Sequence, residues 1–159
     1  MSNPIKKTNA ARLLDQAHIH YDLIPYEVHP DDLGAAKVAS SLGENVKQVF
    51  KTIVLEGDKI KYFVCVVPGD KEINLKAAAK VSGNKKCETL PLKQLLPLTG
   101  YIRGGCSPIG MKKNFPTYID NSANEFDSIF VSAGQRGLQL KINPQDLREV
   151  TQATFADLV

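Results

Sequence analysis

Two β-rich runs, residues 50–56 and 60–67, flank the turn-forming pair Gly57-Asp58. Branched and aromatic residues dominate both runs, so the segment predicts a β-hairpin. Side chains alternate between the two faces of a strand, yet the first run is largely apolar on both of its faces. We therefore expect a strand that is covered on both sides, which requires packed layers of structure above and below it.

The rest of the pattern predicts an α+β fold in one domain over residues 1–159. Thr8, Asn74 and Asn143 are candidate N-caps in front of apolar helical stripes, and Gly43 suits a helix end. Helices are expected within 8–17, 35–42, 74–81, 91–96 and 143–150, and further strands within 21–27, 117–120, 128–132 and 138–142. Short helices among short strands indicate a mixed, barrel-like β-sheet flanked by helices and disfavour a doubly wound fold.

Charge and cysteine content limit the class of protein. The 159 residues include 20 Lys and Arg against 17 Asp and Glu, which is less basic than a dedicated nucleic-acid binder but allows brief contact with a polyanion. The three cysteines match no metal-binding or redox spacing. With no signal peptide and no membrane-length apolar run, we expect a cytoplasmic protein without cofactor, metal, membrane or DNA partner, and residues 1–7 as a solvated tail.

Lys51 has the most unusual predicted environment. It lies near the start of the first β-rich run, on the face shared by Ile53 and Leu55. Placing an ammonium group among apolar side chains costs free energy unless the group meets a partner or a polar cavity. Lys51 is therefore a candidate site residue. The alternative is a lysine at the end of a strand whose amine reaches water along its aliphatic stem.

Two loops of small residues are further candidates. The first, residues 104–110, begins with Gly104 and Gly105, whose backbone can approach a ligand closely and whose N–H groups can bind an oxyanion. The second, residues 131–137, lies between two predicted strands and contains one arginine that can contact phosphate or ribose. Each loop is equally compatible with a tight turn that has only a structural role.

Cys106, within the first loop, is a possible nucleophile, and a Cys106 hydrolase acting on another small ester or thioester is one alternative. No histidine lies near it in the sequence, because the three histidines are all within residues 18–29. His18 and His20 would share one face of an extended strand, but too few further donors accompany them to favour a metal site.

Four segments occur in the order and at the separations typical of the YbaK/EbsC family, which is related to the editing domain inserted in bacterial prolyl-tRNA synthetases. They are Phe50-Lys51-Thr52, Leu75-Lys76-Ala77-Ala78, Thr99-Gly100-Tyr101 followed by residues 104–110, and Val131-Ser132-Ala133-Gly134-Gln135-Arg136-Gly137-Leu138. The chain resembles this family from about Ala10 to Val159. The resemblance also implies a mixed, barrel-like sheet flanked by helices.

The resemblance assigns residues to the site. The family's invariant lysine falls on Lys51, its pocket glycine on Gly104 and its pocket tyrosine on Tyr26, whereas Leu33 and Gln139 stand at positions that differ among relatives and leave the size of the pocket open. The candidate catalytic residues are Lys51, Gly104 and Gly105, and the candidate substrate-binding residues are Tyr26, Leu33, Ser107, Ser132, Gly134, Arg136 and Gln139.

The function that the resemblance implies is trans-editing: an aminoacyl-tRNA deacylase that cleaves misacylated tRNA, foremost Cys-tRNA(Pro), by positioning and polarising the ester. The nucleophile would be the substrate's own thiol for cysteine, or water for alanine. The expected partners are the 3′ end of aminoacyl-tRNA and prolyl-tRNA synthetase. The alternative is a non-catalytic accessory module on the same fold, which binds tRNA or the synthetase without cleaving the ester.

Overall fold

The computed structural model describes residues 6–159. Residues 1–5 of the predicted tail lie outside this range, and within it Lys7 is exposed but forms an ion pair with Asp15 at 2.6 Å. The helices are α1 (Asn9–Gln16), α2 (Ala35–Leu42), α3 (Leu75–Ser82), α4 (Leu92–Thr99) and α5 (Pro144–Thr151). The strands are β1 (Tyr21–Pro25), β2 (Phe50–Gly57), β3 (Tyr62–Pro68), β4 (Cys87–Thr89), β5 (Thr117–Asp120), β6 (Ile129–Gln135), β7 (Leu138–Ile142) and β8 (Thr154–Ala156).

The strands form two sheets. One has the strand order β4-β2-β3-β5-β8 and is mixed, because β5 runs parallel to both β3 and β8 while the other pairs are antiparallel. The other has the order β1-β7-β6 and is antiparallel. A single parallel bridge between Val49 and Phe130 connects them. The predicted α+β class and mixed sheet are confirmed.

The expected barrel is not closed among residues 6–159. The strands β4 and β8 are edges of their sheet, and each has only three residues. Strands this short cannot extend the hydrogen-bond ladder around to the second sheet, which keeps β1 as an edge of its own. The two sheets therefore meet along one side only, at the bridge that precedes β2.

The local signals for helix ends are confirmed. The side chains of Thr8, Asn74 and Asn143 accept hydrogen bonds from backbone N–H groups in the first turns of α1, α3 and α5, and Gly43 ends α2 in the left-handed conformation. The strands β4 and β8 were not predicted, because three residues carry too little periodicity. None of the helices within residues 6–159 has the length and apolar character needed to cross a membrane.

Strand β2 is covered on both faces, as predicted. Phe50 packs into the largest apolar cluster with Val66 and residues of β6 and β7. On the opposite face Leu55 packs with Phe63 and residues of α3. Both Leu55 and Phe63 are fully buried. The β2–β3 hairpin is thus the layer that separates the two main clusters.

Asn84 holds the turn of this hairpin from a distance in sequence. Its side-chain oxygen accepts hydrogen bonds from the N–H groups of Lys59 (2.8 Å) and Ile60 (2.7 Å), and its amide donates to Ser82 Oγ at 2.9 Å. Asn84 is buried and packs directly against Gly57, where any Cβ would overlap the amide. The turn is therefore stabilised by a tertiary contact.

Replacing Asn84 by alanine should lower the free energy of unfolding by about 2 kcal/mol, because two backbone donors and a buried hydroxyl lose their partner. Urea denaturation followed by circular dichroism measures the change. The control is Asn114→Ala, an exposed position, which should shift stability by less than about 0.5 kcal/mol. Equal effects at both positions would show that the Asn84 contacts are not what stabilises the turn.

Candidate active site

A cleft of about 360 Å³ opens where the two sheets meet. Its walls come from the start of α2, the first residues of β2, the glycine loop after α4, and the β6–β7 ladder. Five of the ten residues singled out in the sequence line it together: Leu33, Lys51, Gly104, Ser132 and Gln139. These residues are far apart in the chain, and only the tertiary fold brings them to one cavity.

Lys51 is held in the cleft by the sheet. It pairs with Val67 in the antiparallel β2–β3 ladder, and its side chain is half-buried. Its side-chain amine forms no ion pair and donates no hydrogen bond to any of residues 6–159. A half-buried lysine that lines a cavity, and whose amine has no protein acceptor, is available to a ligand.

Gly104 occupies the third position of a β-turn closed by the hydrogen bond from Gly105 N–H to the Ile102 carbonyl, at 2.9 Å. Its φ of +82° belongs to the left-handed region, which glycine adopts without strain. Its own N–H has no acceptor among residues 6–159. A Cβ at this position would lie 3.3 Å from Leu33 Cδ1 and 3.3 Å from Arg136 Nε. Gly104 therefore offers an unpaired backbone donor in a tightly packed wall.

Gly105 does not line the cleft. Its N–H is already used in the turn, so it cannot serve as a second oxyanion donor in this conformation. It is buried against the end of β6, and a Cβ there would lie 3.0 Å from Gln135 Cα. Glycine is needed here because backbone packs directly on backbone.

Ser107 and Gly134 also lie away from the cleft. Ser107 is fully buried, and its Oγ accepts the N–H of Ile109 inside the loop. Gly134 has a φ of +108° and packs against the ring of Tyr101, 3.0 Å from where its Cβ would be. Both residues shape the loops, which is the structural alternative that the sequence left open.

Tyr26 and Arg136 lie next to the cleft without lining it. Tyr26 borders a small recess beside the cleft. Leu33 and Gly104 line both the recess and the cleft. Arg136 lies in the turn between β6 and β7, where its Nε donates to the Arg103 carbonyl at 2.8 Å. Arg136 thus supports the turn that carries Gly104, while Tyr26 borders the recess beside it.

Two residues that line the cleft each have a buried oxygen with no hydrogen-bond partner among residues 6–159: Thr52 Oγ1 and Gln139 Oε1. Gln139 is only 5% exposed and pairs in register with Ser132, whose Oγ accepts the N–H of Gly134. Buried polar groups are normally satisfied, because an unpaired one costs about 1–3 kcal/mol. The lining of the cleft thus contains two unsatisfied oxygens, which is unusual for buried groups.

The sequence did not single out Thr52, Arg103 or Gly69, which also line the cleft. Gly69 is required because any side chain there would overlap Ala35 at the start of α2. In the sequence Gly69 looks like an ordinary strand end, because it directly follows Pro68. Thr52 is an ordinary strand residue next to Lys51, and Arg103 directly precedes the two glycines. Neither residue therefore stands out in the sequence.

Cys106 lines the cleft, but its thiol is not activated. Burial raises the pKa of Cys106 to about 12, so the thiol is protonated at neutral pH and is a poor nucleophile.

The residues that line the cleft include no aspartate, glutamate or histidine. Within residues 6–159 no group of three or more His, Cys, Asp or Glu side chains is arranged to hold a metal ion. The polar groups that line the cleft are therefore cationic or neutral, and none of them is a carboxylate or an imidazole that could act as a base.

The model of the aminoacyl-tRNA editing domain family matches residues 29–150. The chain is 47% identical over 153 residues to EbsC of Enterococcus faecalis, whose name proposes a Cys-tRNA(Pro)/Cys-tRNA(Cys) deacylase; the match covers 96% of this chain and 93% of EbsC. It is also 26% identical to part of a proline–tRNA ligase of Sulfurihydrogenibium, covering 96% of this chain and 28% of the ligase.

The fold has solved counterparts. The crystal structure of a proposed trans-editing enzyme for prolyl-tRNA synthetase superposes with a TM-score of 0.79 at 23% identity, covering 96% of this chain and 98% of that one. The predicted family and the predicted class of activity, deacylation of aminoacyl-tRNA, are confirmed. The chain belongs to the aminoacyl-tRNA editing domain family.

Proposed function

We propose that this aminoacyl-tRNA deacylase removes cysteine misattached to tRNA(Pro), acting in the cytoplasm as a single editing domain. The name of the Enterococcus faecalis relative supports cysteine as the amino acid. The match to part of a proline–tRNA ligase supports tRNA(Pro) as the carrier and prolyl-tRNA synthetase as the partner that hands over the misacylated product.

The observation that carries this proposal is the combination of one free ammonium group and no base in the cleft. A general base that takes the proton of water accelerates ester hydrolysis by about 10²–10⁴-fold. The lining of the cleft has no carboxylate or imidazole, and its thiol is protonated. A substrate that brings its own acidic nucleophile does not need a protein base, and a cysteine thiol, with a pKa of about 8.5, is such a group.

The proposed reaction is an internal attack by the thiol of the cysteinyl group. The thiol loses its proton to solvent, and its sulfur bonds to the ester carbonyl carbon. The bond between that carbon and the ribose oxygen then breaks, which gives a cysteine β-thiolactone and a free ribose hydroxyl. Water later opens the thiolactone to cysteine. The gain in rate comes from holding sulfur and carbonyl in attacking geometry.

Lys51 and Gly104 are the proposed catalytic groups. The Lys51 ammonium lowers the pKa of the substrate thiol, and it gives a proton to the departing ribose oxygen before taking one back from solvent. The free N–H of Gly104 binds the carbonyl oxygen as it gains negative charge. Thr52 and Gln139 belong to the polar part of the same lining.

Lys51→Ala should lower kcat/KM for Cys-tRNA(Pro) about 100-fold or more, because the variant lacks a cation at the reacting centre. Deacylation of labelled Cys-tRNA(Pro) measures this, and circular dichroism checks the fold. Lys47→Ala is the matched control, since Lys47 is exposed just before β2 and does not line the cleft. Full turnover by the Lys51 variant would refute the assignment, and tRNA binding without turnover by the wild type would favour the accessory-module alternative.

Seryl-tRNA(Pro) and S-methylcysteinyl-tRNA(Pro) test the nucleophile. Serine has nearly the size of cysteine but a far less acidic side chain, and S-methylcysteine has no proton to lose. Both should be cleaved at least about 100-fold more slowly than Cys-tRNA(Pro) under the same conditions. Comparable rates for all three esters would identify water as the nucleophile.

Cys106→Ala should retain most of the deacylase activity, because the thiol has a pKa of about 12. For the same reason, alkylation of Cys106 in the native protein should rise about tenfold per pH unit from pH 8 to 10 without reaching a plateau. Mass spectrometry after timed iodoacetamide treatment measures it. A plateau near pH 8, together with an inactive alanine variant, would revive the Cys106 hydrolase.

A further inference from the structure

Two arginines lie side by side at the mouth of the cleft. Arg103 is the second residue of the turn closed between Ile102 and Gly105, and it lines the cleft. Arg136 lies in the turn between β6 and β7. Both side chains are exposed. The two turns meet there, so both arginines emerge from one local surface.

The side chain of Arg136 is held in place by this contact. Its Nε donates to the Arg103 carbonyl at 2.8 Å, and its Nε and Cγ lie 3.3 Å and 3.5 Å from the ideal Cβ position of Gly104. A guanidinium has five N–H donors, of which this bond uses one. The remaining donors belong to a side chain that is already held in place, so less conformational entropy is lost when they bind a ligand.

Neither arginine is neutralised within the part of the chain that the structure describes. The ion pairs among residues 6–159 are Lys7 with Asp15 and His20 with Asp22, both elsewhere on the surface. Asp32 borders the neighbouring recess, but its Oδ1 accepts the N–H of Gly34. The positive charges of these two side chains are therefore not compensated by a carboxylate of residues 6–159, which favours an anionic ligand.

We propose that Arg103 and Arg136 bind the phosphodiester that precedes the terminal nucleotide of the aminoacyl-tRNA. This inference rests on the proposed function. The ester joins the amino acid to the terminal ribose, and the same ribose carries that phosphate on its 5′ oxygen. With the ester carbonyl beside Lys51 and Gly104 inside the cleft, the phosphate lies outside it, where the two arginines are. The pair anchors the end of the RNA strand without reading its sequence.

The test uses the wild type, Arg103→Gln, Arg136→Gln and the double variant, with deacylation of Cys-tRNA(Pro) measured from about 50 to 300 mM salt. Each single change should raise KM about tenfold while kcat changes far less, because a phosphate contact acts on binding. The slope of log(kcat/KM) against log[salt] should become shallower by about 0.7 for each arginine replaced. Arg103→Lys should restore part of the salt slope, and Arg148→Gln, on the exposed side of α5, is the control for removing a surface charge.

A second pair of substrates separates the phosphate contact from a structural role. These are 3′-O-cysteinyl adenosine with and without a 5′-phosphate. The wild type should prefer the phosphorylated ester about tenfold, and the double variant should show no preference. An equal preference in both proteins, or salt slopes equal to the wild type, overturns the phosphate site. If the wild type cleaves neither Cys-tRNA(Pro) nor these two esters, the proposed function itself has failed.

Discussion

The pairing of β2 with β3 is the constraint on which the rest of the structure depends. Seven residue pairs, from Phe50–Pro68 to Glu56–Tyr62, hold this ladder in register. The residue before it, Val49, forms the bridge to Phe130 that connects the two sheets. Lys51 follows two residues later, so it lies at the junction where the cleft opens. A slip of one residue would turn Lys51 to the other face and expose buried apolar side chains.

The chemistry of the site follows from what its lining contains and lacks. Deeper in β2 both faces are buried against apolar clusters, but its start is open to a cavity with the unpaired oxygens of Thr52 and Gln139, as suits a site completed by its ligand. Cations and a free backbone N–H can stabilise developing negative charge, whereas no carboxylate or imidazole in the cleft can remove a proton. This composition fits the proposed mechanism, in which the site acts by electrostatics and orientation and the substrate contributes the nucleophile.

The amino-acid sequence alone determined the local features of this protein. Helix ends at Thr8, Asn74 and Asn143, the hairpin, and the importance of a lysine in a two-sided strand follow from capping, turn and burial rules that act over a few residues. The role proposed for Lys51 stays a prediction until its variant is measured. The strands β4 and β8 escaped detection because their pairing partners, not their own residues, make them strands.

Only the tertiary structure decided which residues of the two loops line the cleft. The sequence offered Gly104 and Gly105 as catalytic candidates and Ser107 as a substrate-binding candidate, yet Gly104 lines the cleft while the other two are buried in loop packing. The sequence also offered no reason to single out Arg103. Its importance comes from Arg136, which lies more than thirty residues away and contacts the Arg103 carbonyl. The physical reason is that orientation in a loop depends on contacts with distant backbone, which no local pattern records.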